Sequence, residues 1–190
     1  MAERPVQLGI IIGSTRVGRV GPRVAAWFAA EAGGRPDVEL DVLDLAELAL
    51  PSVLAPTPDG AVVAWRERLA RLDAFVVVTP EYNHGYPAPL KQAIDLAFHE
   101  WQAKPVGFVS YGGMAGGLRA VEQLRQVFAE VHAVTVRDCV SLHHPHSWLD
   151  DDGQPRDPAG ASAAAKKLLD QLLWWALALR TAREASPYAA

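Results

Sequence analysis

The feature that most constrains this chain is an alternation of two kinds of segment. Short runs rich in Val, Ile and Phe recur along the sequence, separated by longer stretches whose apolar residues fall three or four positions apart. The first kind reads as strand and the second as amphipathic helix. That alternation predicts a parallel sheet with helices on each side, an α/β fold. Strands are expected over residues 7–12, 39–43, 75–79, 106–110 and 134–136. Helices are expected over 20–32, where Val24, Trp27 and Phe28 share a stripe, and over 61–71, 117–130 and 161–183. A further helical stripe, Leu90, Ile94, Ala97, Phe98 and Trp101, follows Pro87 and Pro89, residues suited to a first helical turn where no amide partner is lost. Five βα units result, and residues 50–60, 150–158 and 186–190 read as loop, polar turn and frayed tail.

Length and composition fit this plan. The chain has 190 residues, half of them apolar, enough for the core of one domain without disulfides. Its one cysteine, Cys139, excludes an intramolecular disulfide framework, and with no secretory leader before the first strand a cytoplasmic protein is expected. The longest dense apolar run, residues 172–179, is far short of a membrane span. A formal charge of −4 gives no global attraction to nucleic acid, so the expected ligand is small.

In an open parallel sheet, ligands bind beyond the carboxyl ends of the strands. Three loops there are unusual. The first, Gly13-Ser14-Thr15-Arg16-Val17-Gly18-Arg19-Val20-Gly21, leads directly into a helix, whose free amides and dipole favour an anion. Its glycine spacing fits the opening of a nucleotide-binding P-loop, but Arg19 stands where the lysine belongs and Val20 where a magnesium-binding hydroxyl is required. A dinucleotide fingerprint also fails, because Ser14 and Thr15 fill positions where bare backbone would approach a pyrophosphate. A terminal monophosphate remains, held by hydroxyls, amides and arginines; the alternative is a surface turn with two solvated arginines.

The second loop, Thr79-Pro80-Glu81-Tyr82-Asn83-His84-Gly85-Tyr86-Pro87, offers aromatic, backbone and amide groups to a planar heterocycle, or is simply a helix entry stapled by Tyr82 and Tyr86. In the third, Ser110-Tyr111-Gly112-Gly113-Met114-Ala115-Gly116-Gly117, four glycines in six residues suit close backbone approach to a ligand or a flexible connection.

Together these motifs, with Pro89-Leu90-Lys91-Gln92-Ala93-Ile94-Asp95, resemble the signature of NADPH-dependent FMN reductases over roughly residues 6–136. The resemblance implies a flavodoxin-like three-layer fold with a five-stranded sheet in the order 2-1-3-4-5, non-covalent FMN, NADPH or NADH as co-substrate, and a dimer or tetramer. It implies reduction of a flavin, quinone or similar acceptor. Carried over by residue, it puts Ser14, Arg16, Arg19, Val20 and Gly21 around the phosphate. Pro80, Glu81, Tyr82 and Asn83 lie along the isoalloxazine, and Ser110, Tyr111, Gly112 and Gly113 at its far edge, where the Gly112 and Gly113 amides meet pyrimidine carbonyls. Many relatives begin the first helix with a small polar residue and asparagine, whereas this chain has Arg19-Val20-Gly21-Pro22. His99 falls where some relatives have an arginine near the flavin; a helical histidine at a subunit interface is the alternative. The flavin carries the chemistry, and no protein acid or base is assigned.

The rival from another class is an FMN-binding redox sensor or electron carrier without turnover. His143-His144-Pro145-His146-Ser147-Trp148 reads as a loop over the site mouth, crowded by Pro145 for one metal shell, and Asp150-Asp151-Asp152-Gly153 as a solvated turn. Trp174 and Trp175, on a terminal helix apolar over more than one face, suggest self-association.

Overall fold

The computed structural model describes residues 4–150 and 154–189. A parallel sheet forms its middle layer. Strands β1 (Val6–Ile12), β2 (Val38–Asp44), β3 (Ala74–Pro80) and β4 (Pro105–Gly112) line up in the order β2-β1-β3-β4, with β5 (Val134–Thr135) at the far edge. This is the order 2-1-3-4-5 that the resemblance implies. Pairing is in parallel register, with Val6 opposite Val38, Leu8 opposite Ala74 and Phe75 opposite Val106.

Side chains one residue apart serve opposite layers. Ala74, Val76 and Val78 of β3 join the core beneath α1 (Gly21–Gly33) and α6 (Pro158–Ala185). Phe75 and Val77 join the core beneath α2 (Gly60–Ala70), α3 (Ala88–Asp95) and α4 (Leu118–Glu130). That second core is strongly aromatic. Trp101 packs edge-on against Trp65, Phe75 and Phe128, and both indoles are satisfied: Trp65 Nε1 donates to the Ala93 carbonyl at 2.9 Å and Trp101 Nε1 to the Ile94 carbonyl at 3.1 Å.

Three local expectations are corrected. Helix α3 ends at Asp95, so Ala97, Phe98 and Trp101 lie in the turns beyond it, where Leu96 and Ala97 close the helix on Gln92 and Ile94. Helix α6 begins three residues before the expected start, because Asp157 caps it through the Gly160 amide at 3.0 Å and Pro158 occupies its first turn. The last strand is split: β6 (Val140–His143) also pairs in parallel with β4, and the register advances by two extra residues between β5 and β6. Backbone groups displaced there find side-chain partners, since Arg125 donates to the Val136 and Arg137 carbonyls and Gln171 accepts from the Asp138 amide. The polar run Arg137-Asp138 hides this continuation from an apolar pattern. A four-residue turn of helix, α5 (Pro145–Trp148), follows β6.

Of the expected polar turn after it, Asp151, Asp152 and Gly153 lie outside the described residues. No described helix is long and apolar enough to cross a membrane.

Candidate functional site

Strand order reverses between β1 and β3, and the helices that follow them, α1 and α3, lie on opposite faces. The crevice left at their carboxyl ends is the expected ligand position of an open α/β sheet. A cavity of about 540 Å³ lies there, lined by the β1–α1 loop, by Pro80, Glu81 and Tyr82, by Tyr111, Gly112 and Gly113, and by residues 144–147. That volume is within the range of small-molecule sites.

In the first loop Ser14 is fully buried and its Oγ lies 2.7 Å from the Tyr82 hydroxyl, tying the first loop to the second. Arg16 lines the cavity, exposed, and its side chain makes no hydrogen bond or ion pair among the described residues. Arg19 behaves differently. Its guanidinium makes a two-pronged ion pair with Asp44 at the end of β2, at 2.6 and 2.7 Å, and donates to the Ser14 carbonyl at 2.9 Å. The Asp44 hydrogen bonds raise the Arg19 pKa further. It still borders the cavity, but as the brace of the loop. The amides of Thr15, Arg16, Val17 and Gly18 have no backbone acceptor among the described residues. Val20 lines the cavity as the residue before α1, whereas Gly21 lies beneath it: a Cβ there would approach the Tyr111 hydroxyl to 2.9 Å.

Tyr111 is the most perturbed group at this edge. Burial first, and the neighbouring Tyr82 second, push its phenol well above the ordinary tyrosine range. Its hydroxyl is buried beside Ser14, without a hydrogen bond of good geometry among the described residues.

The remaining expected contacts divide. Pro80, Glu81 and Tyr82 line the cavity, but the Glu81 carboxylate is already engaged: it pairs with Arg119 Nε at 2.9 Å and accepts the Arg119 amide at 3.2 Å. It thereby caps α4, whose own N-cap, Gly117, has no side chain to do so. Gly117 adopts φ +87°, and a Cβ there would come within 2.7 Å of the Tyr111 amide nitrogen.

Asn83 is not brought to the cavity. It occupies the tip of a two-residue turn with φ 50°, next to His84 at φ 76°, closed by Tyr82 and Gly85 exchanging both backbone hydrogen bonds. Ser110 is also turned away, buried with its Oγ donating to the Gly116 carbonyl at 2.9 Å, so it holds the glycine loop instead of facing the cavity. His99 is exposed in the turn after α3, near Phe98 and Gln102, and contributes to neither the cavity nor a helix. Gly112 and Gly113 line the cavity, and a Cβ on Gly113 would meet nothing within 4 Å.

Sequence reasoning placed residues 143–148 over the mouth, and His144, Pro145, His146 and Ser147 do form one wall. The His144 amide holds that wall by donating to the Gly112 carbonyl at 2.8 Å, and Trp148 anchors it edge-on against Trp27 at 5.0 Å. Among the described residues no group of three or more His, Cys, Asp or Glu side chains is arranged to hold a metal. Asp44 was missed. Its signal was its place at the carboxyl end of the strand adjacent to β1, facing a basic loop.

With this geometry in hand, comparison with known proteins is decisive. Residues 6–147 match the family model described as NADPH-dependent FMN reductase. The chain belongs to the NADPH-dependent FMN reductase family. Within it, 140 residues are 38% identical to the NAD(P)H-dependent FMN reductase LOT6 of Saccharomyces cerevisiae, covering 64% of this chain and 73% of that protein. A probable NADPH:quinone oxidoreductase of Oryza sativa subsp. japonica is 36% identical over 166 residues, 80% of this chain and 83% of the relative. Among solved structures, FerB, a flavoenzyme NAD(P)H:(acceptor) oxidoreductase from Paracoccus denitrificans, superposes with a TM-score of 0.72 at 24% identity over 90% of this chain and 97% of its own. For an FMN reductase family member, the cavity therefore sits where the fold places ligands, and its walls come from the loops that carry the family motifs.

Proposed function

We propose that the cavity holds FMN with its phosphate against the Thr15–Gly18 amides and the Arg16 guanidinium, and its ring between Pro80, Glu81 and Tyr82 on one side and the Gly112–Gly113 backbone on the other. As a family member the protein is an NAD(P)H-dependent oxidoreductase that uses FMN. The observation that carries the residue-level reading is the concentration of unpartnered donors at one sheet edge: Arg16, the buried Tyr111 hydroxyl and four consecutive loop amides. A phosphate monoester, with about −1.5 to −2 charges at neutral pH, is the group such a set suits.

When bound, FMN supplies the redox chemistry, accepting hydride from the nicotinamide and returning electrons to an acceptor. The protein's own residues do the rest. Arg19, held by Asp44, fixes the loop so that its free amides converge; Ser14 and Tyr82 hold the first two loops together; Glu81 and Ser110 set the glycine loop from beneath. Gly113 lines the cavity and its amide has no backbone acceptor among the described residues, so it would be a donor to the ring edge of a bound FMN. The acceptor is a flavin, quinone or similar small planar molecule admitted at the His144–Ser147 wall.

The test is anaerobic mixing of FMN-loaded protein with NADPH and then NADH, followed by a panel of quinones and free flavins. Bleaching by either donor and recovery with an acceptor is the expected result. Retention of the oxidised spectrum with both donors defeats the enzymatic reading, and failure to bind FMN at all defeats the site.

We also propose a cytoplasmic homodimer or homotetramer. Trp174, 63% exposed, stacks edge-on with Trp175 at 5.0 Å on the outer side of α6, an aromatic pair that another copy would bury. A concentration-independent monomer in light scattering would remove the oligomer.

A further inference from the structure

Among the 18 lysines and arginines, only two side chains make no hydrogen bond or ion pair among the described residues: Arg16 and Arg71. Arg16 stands in the phosphate loop. Arg71 stands at the opposite pole of the sheet, where α2 ends, beside a separate cavity of about 240 Å³. That volume equals about eight water molecules.

The walls of this second cavity carry five cations, Arg4, Arg71, Lys104, Arg180 and Arg183. Two carboxylates, Asp73 and Glu184, face them. Helices α2 and α6 both end nearby, and their carbonyl ends oppose an anion by about half a charge each. The α2 carbonyls are in any case occupied, since the buried Lys104 ammonium donates to the Leu69 carbonyl at 2.9 Å and the Ala70 carbonyl at 3.2 Å.

Asp73 is shared. Arg4 grips it at 2.7 and 3.0 Å, Arg180 lies at 3.4 Å and Arg183 at 3.6 Å, while the Gln7 amide donates to it at 3.1 Å. One carboxylate thus serves three guanidiniums and has no capacity left for Arg71 or Lys104. The strain shows in Lys104, which burial first and the Arg183 guanidinium second bring down to about 8. An anion in the cavity would relieve both.

We propose that this pole is a second ligand site, taking a small multivalent oxyanion of the phosphate class between Arg71, Lys104 and Arg183. It is formed where Asp73 and Lys104 precede β3 and β4, at the amino ends of the strands, and so is separate from the cofactor cavity.

The experiment is a titration of inorganic phosphate into the full-length, FMN-saturated protein at constant ionic strength held with chloride, followed by melting temperature and by the Lys104 resonance in NMR. A saturable rise in melting temperature, with the Lys104 midpoint moving upward from about 8, is expected. Arg71→Gln, an exposed position with no partner to lose, should fold normally and weaken phosphate binding about tenfold, and Arg16→Ala should leave it intact. No saturation, an equal response to chloride alone, or an effect abolished by Arg16→Ala but untouched by Arg71→Gln each overturns the site.

Discussion

The two ends of the sheet treat the same chemical groups in opposite ways. At the carboxyl end, among the described residues, Arg16 and the Tyr111 hydroxyl have no hydrogen-bond partner beside the larger cavity, and the Thr15–Gly18 amides of the adjoining loop have no backbone acceptor. At the amino end, Arg4, Arg180 and Arg183 converge on one buried carboxylate, and Lys104 is fastened to the end of α2. Groups tied to each other hold the fold, and groups left untied are available to a ligand. The contrast recurs inside one loop, where Arg19 is a brace and its neighbour Arg16 is free. Arg71 is the exception at the amino end, and the second site is placed there, beside Lys104 and Arg183, each of which keeps N–H donors beyond those tied within the fold.

The largest effect expected from breaking this contrast is at Asp73. Asp73→Asn removes the charge that three guanidiniums share and should lower the unfolding free energy by about 3–5 kcal/mol in urea titration. A loss below about 1 kcal/mol would mean that the amino end is not held by this carboxylate.

Next comes Arg16→Ala. It should weaken FMN affinity more than about tenfold, corresponding to a charge-assisted contact of roughly 1.5–3 kcal/mol, while leaving apoprotein stability within about 0.5 kcal/mol. Arg19→Ala should instead reduce both, because Asp44 and the Ser14 carbonyl lose their donor. Equal behaviour of the two variants would erase the distinction between ligand arm and brace.

Smaller again is the pH dependence of Lys104. Its folded pKa, about 8, lies below the ordinary lysine value of 10.5, so between these values the unfolded chain binds more protons and stability should rise with pH. Lys104→Met should flatten this rise, visible as the difference between the two urea midpoints from pH 8 to 9.5. A wild-type midpoint falling through that window in parallel with the variant would contradict the assignment.

The smallest change is expected from Tyr111→Phe. Removing a buried hydroxyl that lacks a partner should leave apoprotein stability unchanged or raise it by up to about 1 kcal/mol, with FMN affinity reduced. A clearly destabilised apoprotein would show that the hydroxyl is bonded within the protein.

Much of the architecture was legible because runs rich in Val, Ile and Phe alternate with segments of helical spacing, and the motif loops fall at strand ends by their position alone. The sequence is silent where partners are distant along the chain. Nothing local distinguishes Arg16 from Arg19, yet Asp44, supplied by the neighbouring strand, takes one and leaves the other. Ser110 and Asn83 belong to recognisable motifs, but a hydrogen bond to Gly116 and a two-residue turn carry them away from the cavity. The split of the last strand was hidden because Arg125 and Gln171, on two separate helices, satisfy the backbone that leaves the ladder.

By itself the sequence determined the layered α/β fold, the family and the three loops that meet at one sheet edge, since each of these follows from periodicity or from contiguous motifs. Only the tertiary structure decided which polar groups are spent and which are spare. That division depends on which opposite charge or unsatisfied backbone group lies within about 3 Å, a distance across the fold that spacing along the chain does not encode.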